Sequence, residues 1–95
     1  MPFIGVSAQG VRFNGPSQAY VSTAIHGGAA TRNFCPACSS LVFGGVRDHS
    51  DSYSIYAGSL DDTRFFRPTI AIFVRNRPAW VPLPHGLKLF ETMPD

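Results

Sequence analysis

Nine glycines and eight prolines are spread over the whole of a 95-residue chain, and the longest stretch free of both runs only from Val46 to Ala57. Within that stretch, Arg47-Asp48-His49-Ser50-Asp51-Ser52 is polar and loop-like. A long amphipathic helix has no room here, because each Gly or Pro inside one costs about 1 or about 3 kcal/mol relative to Ala. Between the breaks lie short runs rich in β-branched and aromatic residues, which suit strands. From Ala19 to Ile25 the chain alternates, with Ala19, Val21, Thr23 and Ile25 on one face and Tyr20, Ser22 and Ala24 on the other. Tyr53, Ile55 and Ala57 share a face in the same way. Thr69 to Val74 is continuously apolar and predicts a strand buried on both faces. Gly27-Gly28 predicts a tight turn between two strands, since Gly supplies the positive φ that hairpins need.

The expectation is an all-β fold of seven or eight short antiparallel strands, forming one domain over residues 1–95. Four prolines between Pro78 and Pro94 exclude a central strand throughout that tail. It is expected to wrap as an extended cover, with Trp80, Leu87, Leu89 and Phe90 pressed onto the sheet. A fold of this length hides only roughly 60–65% of its unfolded surface, so a metal or a partner would add needed stability.

Composition narrows the function classes. Eight Lys plus Arg against six Asp plus Glu leave a net charge of +2, too slight to imply nucleic acid or a membrane surface as partner. The start, Met1-Pro2-Phe3-Ile4-Gly5-Val6, has no positive charge and no following apolar segment of the kind that targeting signals carry. Ile70-Ala71-Ile72-Phe73-Val74 is far short of a bilayer span. A soluble, cytoplasmic protein is the expectation, and two cysteines are not a disulfide framework.

Cys35-Pro36-Ala37-Cys38 is the constellation with evident chemistry. Two thiolates two residues apart can hold one tetrahedral Zn²⁺ if the chain turns tightly between them, and Pro36 favours that turn. Apolar runs on both sides, Ala30–Phe34 and Leu41–Phe43, place the pair at the tip of a β-hairpin as a zinc-knuckle-like turn. A thioredoxin-type redox pair needs a helix after its first Cys, whereas Ser39 to Gly45 reads as strand then turn. Two inert, metal-free thiols remain an open alternative. Structural zinc takes four protein ligands, and the chain offers two cysteines. His26 beside Gly27 and His49 in its polar loop read as a turn residue and a solvated residue rather than as the missing pair. The remaining route is a homodimer, in which Cys35 and Cys38 of two copies surround one shared zinc.

Elsewhere the plain reading prevails. Asp61-Asp62 ahead of Thr63-Arg64 suits backbone capping better than paired-carboxylate acid–base work. Arg75 and Arg77 are expected on one face of a strand end, as an edge that discourages aggregation. Trp80 is expected to anchor the tail by packing.

Four segments then carry a resemblance. Arg32-Asn33-Phe34-Cys35-Pro36-Ala37-Cys38-Ser39-Ser40-Leu41 comes first, followed by Ala57-Gly58-Ser59-Leu60-Asp61-Asp62. Pro68-Thr69-Ile70-Ala71-Ile72 and Pro78-Ala79-Trp80-Val81 complete the set. Together, and with Phe13-Asn14-Gly15 upstream, they resemble the later part of the glutathione-dependent formaldehyde-activating enzyme family, also called the CENP-V/GFA domain. The resemblance implies a small Mss4-like β fold associated with zinc. It also implies a family activity, the carbon–sulfur lyase formation of S-(hydroxymethyl)glutathione from formaldehyde and glutathione. Cys35 and Cys38 match the family's later CxxC, which shares a structural zinc with an early CxC. Nothing in these residues matches that CxC, or the CxCxxC that holds the catalytic zinc. Ser39 stands where the family usually has Gly. The implied reading is a catalytically incompetent, metal-associated dimeric domain, with glutathione as a candidate small thiol ligand. A fragment of an active lyase and a metal-free binding module are the alternatives.

Overall fold

The computed structural model describes residues 2–25 and 27–94. Its main element is a five-stranded antiparallel sheet made of β1 (Phe3–Ser7), β2 (Gln18–Thr23), β3 (Ala29–Phe34), β4 (Leu41–Gly44) and β5 (Ser52–Tyr56). The strand order is β1-β5-β4-β3-β2, so the two strands nearest the N-terminus form the two edges. Three short connections close the β2-to-β5 run, as hairpins require. The first uses Gly27 at φ +90°, with Gly27 N–H donating to Ala24 O and Ala24 N–H to Gly28 O. The all-β expectation and the glycine turn both hold.

Register explains where the core sits. Asn33 pairs with Phe43, Phe43 with Ile55, and Ile55 with Ile4, so these side chains share one face. Tyr53, two residues from Ile55, joins them. Phe43 and Tyr53 are 3% and 4% exposed, and Phe13, from the β1–β2 connection, lies on both. Its ring centroid is 4.9 Å from Phe43 and 5.3 Å from Tyr53, in tilted and edge-to-face contacts that suit aromatic quadrupoles. Gly45, at φ +122°, is required beside this cluster, because a Cβ there would stand 2.8 Å from the Tyr53 ring. The buried Asn33 amide donates to Phe43 O at 3.2 Å and to Gly45 O at 2.7 Å. It thereby gives both carbonyls a donor beside the aromatic cluster, next to the register shift after Asn33.

β2 keeps its alternation but not a buried face. Tyr20 and Val21 are 62% and 59% exposed, and Ile25 is exposed as well. It is an edge strand with no charged residue, no proline and six consecutive pairs to β3 without a bulge.

The C-terminal third departs from expectation. The apolar run Thr69–Val74 forms only the two-residue β6 (Ile70–Ala71), and Ile70 is exposed. Phe73 turns the chain into a left-handed conformation, φ +54°, and Val74–Asn76 is a 3₁₀ turn. A strand buried on both faces needs neighbours on both sides. Here the partner is β7 (Lys88–Leu89), a two-residue strand running parallel to β6. The tail folds back on this segment, with Phe90 N–H donating to Ala71 O and Phe73 N–H to Thr92 O. It does not press Trp80 or Leu89 into a core, since Trp80 is 83% exposed and Leu89 is exposed too. Arg75 and Arg77 likewise lie on and just after the 3₁₀ turn rather than at a strand end, and the Arg77 guanidinium donates to Val81 O. Asp62 caps as expected, accepting from Arg64 N–H at 3.0 Å and gripping the Arg64 guanidinium at 2.7 Å. The Arg64 charge and the backbone N–H together hold the Asp62 carboxyl below its ordinary value. Among the described residues no helix is long and apolar enough to cross a membrane.

Candidate functional site

β3 and β4 deliver Cys35 and Cys38 to the tip of one hairpin, as the spacing predicts. The turn is closed by Cys35 N–H donating to Ser40 O at 2.9 Å and Ser39 N–H donating to Cys35 O at 2.7 Å. Cys35 is half-buried, whereas Cys38 stands exposed. Both are free thiols in one tight turn, the local geometry that two corners of a tetrahedral site need.

Cys38 Sγ lies 3.4 Å from Ser40 Oγ. The thiol can donate to that hydroxyl, and the hydroxyl can donate back to a thiolate. Chiefly through this hydroxyl, then through the Ser40 backbone and the Cys35 thiol, Cys38 is held below its ordinary pKa. A thiolate is the form that binds metal, so the local hydrogen bonding favours the ligating state.

Ser39 adopts φ +65°. The turn therefore demands the left-handed conformation at the one knuckle position where a Gly is expected from the family pattern. That conformation costs an L residue roughly 1–2 kcal/mol, part of which a Gly gives back through its more flexible unfolded chain. Ser39→Gly is expected to stabilise the domain by about 0.5–1 kcal/mol, read as a higher urea midpoint at unchanged slope.

Of the other ligand candidates, His49 does not join the thiols. His49 is exposed in the β4–β5 connection, and His26 lies outside the described residues. Among the described residues no group of three or more His, Cys, Asp or Glu side chains is gathered in one place. The donor set present fits half of a zinc site.

A second constellation was not visible in the sequence. The β1–β2 and β4–β5 connections meet beside the aromatic cluster, although they are some thirty residues apart in the chain. Arg47 Nη1 donates to Gly15 O at 2.8 Å and to Ser17 Oγ at 3.2 Å, and its guanidinium lies 4.9 Å above the Phe13 ring. A cleft of about 590 Å³ opens there, lined in part by Arg12, Phe13, Arg47, Asp48 and Tyr53. A smaller one of about 230 Å³ adjoins it and reaches Cys35.

No curated protein and no solved structure matches the chain. A family model described as "Glutathione-dependent formaldehyde-activating enzyme" matches residues 1–76, which span the five-stranded sheet, the cysteine hairpin and β6, and stop short of the tail. With four fifths of its length covered by that match, the chain belongs to the glutathione-dependent formaldehyde-activating enzyme family.

Proposed function

We propose that these residues act as a metal-associated domain of the family, without formaldehyde–glutathione turnover of their own. In this reading Cys35 and Cys38 hold half of a structural zinc site, and the same pair from a second copy completes it. The observation that carries the reading is the pairing of two free thiols on one closed turn, Cys38 outermost and exposed, with no third ligand gathered beside them among the described residues. Zinc binding by thiolate sulfur suits a structural role, since a Cys₄ set is coordinatively closed. The family's lyase chemistry needs a zinc with an open position, and the ligand motifs for such a zinc are not among these 95 residues. Glutathione is the small thiol that would compete for the same metal, because its thiolate can take a position that only one chain has half filled.

Metal content and mass in solution test this together. Protein produced in zinc-supplemented medium and never exposed to chelator is expected to carry about half a zinc per chain, from the four-ligand rule, and to run as a dimer in light scattering. Cys38→Ser should abolish both. A monomer that holds a whole zinc through its own side chains, or metal-free protein, overturns the shared site. Steady formation of S-(hydroxymethyl)glutathione by the zinc-loaded chain overturns the non-catalytic part and favours the lyase reading.

A further inference from the structure

The larger cleft is lined by the β1–β2 and β4–β5 connections and by Tyr53, and uses neither thiol of the cysteine hairpin. Its volume, about 590 Å³, falls in the range of small-molecule sites. Its walls carry two guanidiniums, Arg12 and Arg47, against one carboxylate, Asp48. Asp62–Arg64 is the one ion pair found among the described residues, so none of these three charges is neutralised by a close partner. Arg12 is exposed at the mouth, and it lines the adjoining smaller cleft as well.

Arg47 is held in place before any ligand arrives. Both of its hydrogen bonds to the β1–β2 connection use Nη1, and its Cζ lies over the Phe13 ring, 4.9 Å from the centroid. The Nε and Nη2 edge is left to meet a ligand. The Phe13–Phe43–Tyr53 cluster closes the floor toward the sheet, which lowers the local dielectric and strengthens a charge-assisted bond formed above it. A planar two-oxygen group matches a guanidinium fork, and the excess of one positive charge matches a monoanion.

We propose that the cleft between the β1–β2 and β4–β5 connections binds a small monocarboxylate, held by Arg12 at its mouth and by the pre-set Arg47 on its wall. The site is independent of the metal reading, since neither its residues nor its test involves zinc.

Amide NMR of the full chain at constant ionic strength tests it, using acetate, phosphate and chloride as separate titrants in mildly alkaline buffer, where phosphate is mostly a dianion. Acetate should give saturable shifts concentrated at residues 11–15 and 46–50. Arg12→Ala should weaken that binding about tenfold while leaving the melting temperature unchanged, because Arg12 is exposed. Arg12→Lys, which keeps the charge and loses the fork, should fall between. Shifts that fail to saturate, or equal shifts with chloride, overturn the site. Tighter binding of phosphate overturns the assigned class, and undiminished acetate binding by Arg12→Ala overturns the assigned residue.

Discussion

Asn33→Asp is expected to lower the stability of the domain by roughly 3–5 kcal/mol at neutral pH and by far less in acid. The Asn33 amide is 3% exposed and donates to two carbonyl oxygens, Phe43 O and Gly45 O. The substitution changes almost no volume but turns a donor toward those oxygens into an acceptor. An ionised carboxyl there is an unpaired buried charge facing two negative dipoles, a cost of roughly 3–5 kcal/mol. The sign of the pH dependence follows from linkage. The folded state raises the pKa of the introduced carboxyl above its unfolded value of about 3.9, so the folded state binds the proton more tightly. Stability is therefore greatest below that value and falls as pH rises past it. In acid the neutral carboxyl still donates to only one of the two carbonyls, so a loss of about 1 kcal/mol persists there. Urea melts of the variant and the parent across this range decide the matter, and a pH-independent difference between them would refute the carbonyl-facing geometry.

Phe43→Ala should be at least as damaging, and at every pH. Phe43 occupies the centre of the sheet, 3% exposed, in mutual contact with Phe13 and Tyr53. Large-to-small truncation of a buried Phe costs roughly 3–5 kcal/mol, because lost transfer energy and the residual cavity add. A domain of this size has roughly 5–14 kcal/mol in all, and the described core contains few other fully buried side chains to compensate. Far-UV circular dichroism should lose its cooperative thermal transition at 37 °C or show it at a much lower temperature. Phe43→Leu, which keeps most of the volume, should retain a cooperative melt. A Phe43→Ala protein as stable as the parent would mean that the aromatic cluster is not the keystone of the sheet.

The two cases show what was legible in the sequence. Alternation and turn residues predicted β2, the β3–β4 hairpin, its CxxC tip and the buried face of β5, because each is a local pattern of period two closed by a short connection. Ser39 carried a signal as well, since its left-handed turn falls where the family pattern has Gly. The apolar run at Thr69–Val74 misled because hydrophobicity reports a preference for burial and says nothing about whether a neighbouring strand exists. Trp80 misled for the same reason, its proline-flanked segment being held by local bonds such as Val81 N–H to Pro78 O. β1 was hidden by Gly5, which breaks its apolar pattern at the centre of the strand. The Arg12–Phe13–Arg47 grouping carried no local signal at all. Its members come from connections that meet only after β1 pairs with β5, and no spacing rule spans that distance.

The uncharged, unbulged edge at β2 has a consequence for the protein's behaviour at high concentration. Natural sheets defend their borders with lysines, prolines or bulges, and this one has none along Gln18–Thr23. Its unpaired amides form a ready template for an incoming extended segment of any origin, including one from a partly unfolded sister molecule. Fibril growth, where it occurs, would begin at this border and not at the aromatic interior.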